Sequence, residues 1–129
     1  MSGMWRQFPS HVGAEHRESV TNTVVDHQRD GADWTDAVWL VGGDVYNPHA
    51  TDVAYLQLFA AASADVTLGT DGALLALAVP PGASVSIAVR QPVLFNPRLS
   101  YAATSTRTGS VAPTSALTLS LLFARSVAG

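Results

Sequence analysis

The stretch Ser84-Val85-Ser86-Ile87-Ala88-Val89 decides the fold class. Successive side chains of an extended chain point to opposite faces, so Val85, Ile87 and Val89 share one side and Ser84, Ser86 and Ala88 the other. This half-polar alternation predicts an antiparallel sheet with one buried face, since strands of a parallel sheet are covered on both sides and read as apolar throughout. Just upstream, Pro80-Pro81-Gly82 forces the chain to turn.

The same pattern recurs on both sides of this segment. Toward the C-terminus, Val93 to Phe95 follows Pro92 as a short edge-like piece before Asn96-Pro97-Arg98. Leu99, Tyr101 and Ala103 then alternate with Ser100, Ala102 and Thr104. Residues 105–115 are a Ser/Thr/Gly loop, and Leu117, Leu119, Leu121 and Phe123 alternate with Thr118 and Ser120. Toward the N-terminus lie the strands Leu74 to Val79 and Val53 to Phe59, a turn cluster from Asn47 to Asp52, and a β-rich run from Val38 to Tyr46. Gly42-Gly43 interrupts that run and predicts a bulge or bend. No segment keeps a 3.6-residue period, and Ala60-Ala61-Ala62 is too short for more than one helical turn. About seven to eight short strands, with turns every ten or so residues, predict an all-β antiparallel sandwich of jelly-roll or Ig-like type.

Composition shifts near residue 34. Residues 1–33 hold Glu15, Glu18, Asp26, Asp30 and Asp33, half of the ten acids, together with His11, His16 and His27. Apolar periodicity is weak there, apart from Val20 to Val25. The expectation is an extended N-terminal arm over 1–33, a β-sandwich domain over 34–125 and a C-terminal tail at 126–129. A first strand plus ordinary loop is the competing reading of the same residues.

Hydrophobic residues make up 47% of the chain and charged residues 13%, where a soluble domain carries about a quarter charged. A surface so poor in charge suits faces covered by neighbours. A coding bias that replaces lysine, absent from this sequence, explains it equally well. The net charge of −3 and seven scattered arginines argue against nucleic acid. No apolar run approaches the ~20 residues that cross a bilayer, and no signal-peptide stretch opens the chain. The absence of cysteine removes disulfides, thiolate metal sites and thiol nucleophiles.

Signals for catalysis are weak. Phosphate-binding glycine motifs are missing, and Gly82-Ala83-Ser84-Val85-Ser86 lacks the second glycine of a nucleophile elbow, so Ser84 reads as the outward neighbour of Val85. His11, Glu15 and His16, with Asp26 and His27 beyond, have the chemistry of zinc ligands but not the spacing. His49 reads as a turn residue. Asp44 with Asp52, or Asp65 with Asp71, reads as loop solvation rather than as a glycosidase pair. Trp34, Trp39, Tyr46 and Tyr55 read as core or interface aromatics, with a sugar platform as the alternative. No enzyme, metal or other cofactor is expected.

From Trp39 to Phe123 the chain resembles a family of small structural proteins of tailed bacteriophages. The resemblance rests on the order of Val45-Tyr46-Asn47-Pro48, Tyr55-Leu56-Gln57-Leu58-Phe59, Gly69-Thr70-Asp71, Leu77 to Ala83, Leu99-Ser100-Tyr101-Ala102-Ala103-Thr104 and Leu117 to Phe123. It implies a virion part assembled in the host cytoplasm. The most specific expectation is a capsid decoration (cement) protein, a homotrimer bound to the major capsid protein. A tail, neck or head-fibre base protein and a host-surface carbohydrate-binding module are the alternatives. An exposed Trp/Tyr strip with an Asp/Asn rim would mark the last of these. Trp5, Phe8, Trp34 and Trp39 are the expected contact residues, because aromatics anchor interfaces, with core packing as the competing role for Trp39.

Overall fold

Alternating side chains create the strands, and their pairing creates two layers. The computed structural model describes residues 11–29, 31–87 and 89–125. The strands are β1 (His11–Val20), β2 (Val25–Asp26), β3 (Gln28–Arg29), β4 (Ala32–Asp33), β5 (Val38–Tyr46), β6 (Ala54–Phe59), β7 (Leu75–Val79), β8 (Ser84–Ser86), β9 (Val93–Phe95), β10 (Ser100–Thr104) and β11 (Leu117–Arg125). A single 3-10 turn at Ser63–Asp65 is the one helical element among the described residues. The first sheet runs β1-β11-β5-β8, with β9 also paired to β5; the second runs β2-β10-β6-β7; β3 and β4 form a ribbon. Every pairing is antiparallel.

The core lies between the two sheets. Leu40, Val45, Leu119, Leu121 and Phe123 come from the first sheet, and Leu56, Leu58, Tyr101 and Ala103 from the second. Each buried leucine contributes roughly 1.5–3 kcal/mol over an exposed one. The alternation read from Leu99 to Thr104 is met, with Leu99, Tyr101 and Ala103 in this core. Ile87 faces the core, and Val85 and Val89 pack against it from the side.

Gly42-Gly43 does form an irregularity. Leu122 pairs with Gly42 and Phe123 with Leu40, so Val41 is an extra residue on β5. The bulge shifts parity, so that Leu40 on one side of it and Val45 on the other both point inward. Asn47 closes the following turn: its side-chain amide donates to the carbonyls of Asp52 (2.8 Å) and Val79 (3.1 Å), and its oxygen accepts the His49 N–H. His49 is a turn residue as expected, its Nδ1 accepting the backbone N–H of Thr51 and Asp52.

Two expectations need correction. Eleven strands occur among the described residues where seven to eight are expected, and the stretch expected as an extended arm is, over residues 11–29 and 31–33, built into strands: β1 and β2 lie in the two sheets and β3 and β4 form the ribbon. β1 is ten residues long and pairs along β11 from His11↔Arg125 to Val20↔Leu117. The physical reason is the identity of its inward side chains: Glu15 is buried and Arg17 half-buried, so the apolar period is absent although the strand is present. A register shift between Arg17 and Val20, with Ser19 at φ 59°, then turns Val20 into the core. Trp5, Phe8 and the tail at 126–129 lie outside the described residues.

The two sheets are covered unequally. Over the second sheet, Gln57 donates to Thr104 Oγ1 and to the Gly109 carbonyl, and Thr104 Oγ1 donates to the Thr106 carbonyl. Arg107 lies over the Tyr55 ring and donates to the Ala76 carbonyl, which ties the loop after β10 across β6 and β7. Gln57 is buried beneath this loop, and all five residues of β10 are buried, Tyr101 and Ala103 by the core on the other face.

Candidate functional site

The most concentrated polar chemistry is buried. Glu15 Oε1 accepts from His27 Nδ1 at 2.7 Å, and Oε2 accepts from the Tyr101 hydroxyl at 2.7 Å, from the Gln28 N–H at 3.0 Å and from Arg17 Nη2 at 3.0 Å. Arg17 also reaches the Asp26 carbonyl and lies over the Tyr101 ring. His27 is fully buried, edge-on to Phe123 with ring centroids 4.2 Å apart, and its Nε2 has no hydrogen-bond partner among the described residues. A general base needs an open path to substrate. This dyad has none, since Glu15 and Tyr101 are buried too. Its work is to fasten β1 and the β2–β3 segment to β10.

Burial pushes the Glu15 carboxyl upward, but the hydrogen bonds from His27 and Tyr101, the charge His27 can carry and the Gln28 N–H outweigh it and hold the group below 4.5. Burial, with the Glu15 charge and hydrogen bond, drives the Tyr101 hydroxyl well above its usual value, against a smaller opposing effect of Arg17. A depressed carboxylate contributes stability that is complete above the unfolded value of 4.5 and is lost as pH falls through the lower folded value. Unfolding midpoints should therefore hold level from about pH 5 to 7 and fall on acidification. Glu15→Gln should flatten that acid limb, and an acid limb unchanged in the variant would assign it to other carboxylates.

Of the metal-like residues, Glu15 meets His27 but not His16. Glu15 points inward and His16 outward on adjacent positions of β1, so they cannot share an ion. His16 instead bonds Ser120 Oγ at 2.9 Å. No group of three or more His, Cys, Asp or Glu that could hold a metal occurs among the described residues. Asp52 is engaged by the Thr114 hydroxyl, and that bond draws its carboxyl below the usual range against a smaller effect of burial. Asp71 caps the Thr67 N–H, and Ser84 is exposed on β8.

The open surface lies on the outer face of the first sheet. Register places half-buried Trp39 beside exposed Leu94 across β5 and β9, with the fully buried Ala124 on the other side of Trp39, and places Ala14 beside exposed Leu122 across β1 and β11, opposite Gly42. Leu122 is 45% and Leu94 39% exposed. Farther along, His16, Ser120, Asp44 and Ser86 form a polar row. One end of the face is thus apolar and the other polar.

Beside the apolar end opens a cleft of about 610 Å³ lined by Trp34, Thr35, Asp36, Ala37, Trp39, Leu94, Asn96 and Pro97. Trp34 follows the β3–β4 ribbon; its N–H donates to the His27 carbonyl (2.8 Å) and its indole Nε1–H to the Ala37 carbonyl (3.3 Å). The Arg29 guanidinium lies 5.4 Å over the Trp34 ring. The structure therefore brings together two of the four expected contact residues, Trp34 and Trp39, and makes Trp39 a half-buried outward residue rather than a core one. Leu94, Asn96, Asp36 and Leu122 were not singled out from the sequence. Only Leu122 leaves a trace there, as an apolar residue at an outward position of β11.

No helix among the described residues is long and apolar enough to cross a membrane. Comparison with protein-family models, with characterised proteins and with solved structures gives no match.

Proposed function

We propose that this chain is a structural, protein-binding domain of a bacteriophage virion, and most specifically a capsid decoration protein that binds the major capsid protein and stabilises the shell. One observation carries the reading: the loop after β10 crosses the outside of the second sheet, whereas the outer face of the first exposes Leu122 and Leu94 beside half-buried Trp39. An apolar surface with a polar surround is the form of a protein contact. The order of motifs from Trp39 to Phe123 supplies the virion context. A homotrimer, and a jelly-roll or Ig-like variant of the sandwich, belong to the same proposal.

The test adds purified protein to capsids stripped of their decoration and counts bound copies after pelleting. Saturable binding that raises the shell's melting temperature is expected. Leu122→Glu places a charge on the apolar row without touching the core and should weaken binding at least about 10-fold while leaving the β circular dichroism unchanged. Failure of the unaltered protein to bind capsids would exclude decoration and turn the search to tails, necks and fibre bases. Equal binding by the variant would move the contact off this face.

A further inference from the structure

We infer that the Trp34–Trp39 cleft is a binding site for a neutral pyranose sugar. The inference goes beyond the shell contact, because a glycan is a different ligand. Trp39 and Leu94 border both surfaces, but Leu122 lies outside the cleft and Trp34, Asp36 and Asn96 lie outside the exposed rows.

A pyranose ring has an apolar face of C–H groups and an equatorial edge of hydroxyls, so its site needs a flat apolar wall beside hydrogen-bonding groups. The cleft offers both. Trp34, Trp39 and Pro97 supply the wall, while the exposed Asp36 and Asn96 supply a carboxylate and an amide at its mouth. Sugar hydroxyls donate to a carboxylate, and an amide both donates and accepts. The volume of about 610 Å³ falls in the range of small-molecule sites. The cleft is open rather than enclosed, which lets the far side of a sugar stay hydrated.

Charge narrows the ligand. Among the described residues that line the cleft, Asp36 is the one ionisable group. The Asp36 carboxylate at the mouth repels an anion, so phosphorylated and carboxylated sugars are disfavoured and neutral hexopyranosides preferred. Preorganisation supports the assignment as well. The bond from its indole N–H to Ala37 fixes the edge of the Trp34 ring, and Arg29 lies over the ring. A wall already held in place loses little freedom when a ligand stacks on it.

The test titrates the whole 129-residue chain with cellohexaose, maltohexaose and a β-1,4-galactan oligosaccharide, reading tryptophan fluorescence and indole N–H shifts. At least one sugar should bind saturably, and a sialylated oligosaccharide should bind more weakly. Trp34→Ala should reduce affinity at least about 10-fold. Because that change also removes packing, Asp36→Ala and Asn96→Ala are made in parallel. Both sit at the exposed mouth, keep the fold, and should each weaken binding about 3- to 10-fold. Leu122→Glu should bind sugar normally even where it has lost the capsid, which separates this inference from the shell contact. The inference is overturned by absence of saturable binding across the neutral sugars, by binding that all three cleft variants retain, or by a preference for the anionic sugar.

Discussion

Glu15→Ala should destabilise the domain by about 3–5 kcal/mol, the range for removing one partner from a buried charged cluster. The carboxylate accepts four hydrogen bonds, from His27, Tyr101, Gln28 and Arg17, and alanine leaves all four donors facing a void. His27 is the worst placed, because its other nitrogen already lacks a partner among the described residues and its ring is fully buried against Phe123. Urea unfolding at pH 7 measures the loss. Tyr101→Phe, which removes one donor and keeps the ring, should lose about 1–2 kcal/mol and serves as the calibration. A loss below about 1 kcal/mol for Glu15→Ala would mean that β1 is held by its ladder with β11 alone.

Gly43→Ala should be the next most damaging single change, at about 2–4 kcal/mol. Gly43 sits at φ +139°, a conformation that side-chain-bearing residues rarely adopt, and an added Cβ would collide with the Ser120 carbonyl and the Leu121 Cα. Both obstacles are backbone of the neighbouring β11, so neither swings aside. Gly42→Ala is the control one residue away. There the nearest atom to the new Cβ, the Ile87 carbonyl oxygen, lies at 3.4 Å, and the loss should stay under about 1 kcal/mol. Thermal melts of the two variants decide the matter: equal shifts would show that the bulge relaxes and that neither glycine is required.

The parts of the fold written in apolar alternation were readable from the sequence. Val85, Ile87 and Val89 predicted a buried side, Gly42-Gly43 a bulge, and Asn47 to Asp52 a turn, and each is present. β1 was not readable because its inward residues are Glu15 and Arg17. Hydrophobicity has period two only where burial is apolar, and a strand buried through hydrogen bonds and ion pairs carries no such mark. The partnership of Glu15 with Tyr101, 86 residues away, exists only after β1 has docked beside β11. The cleft was half readable. Trp34 and Trp39 stand out as large aromatics in a chain with few charges, whereas Asp36 and Asn96 are ordinary loop residues until the β4–β5 and β9–β10 connections meet.

The pairing of β1 with β11 has a mechanical consequence. His11 and Arg125 lie opposite each other at one end of that ladder. A tension applied through the two ends of the described chain therefore loads the hydrogen bonds one pair at a time, as a zipper opens, rather than all together in shear. Such a ladder yields at low force. Force spread across the face of the sheet instead loads many pairs together, so the resistance of the fold depends on the direction in which it is pulled.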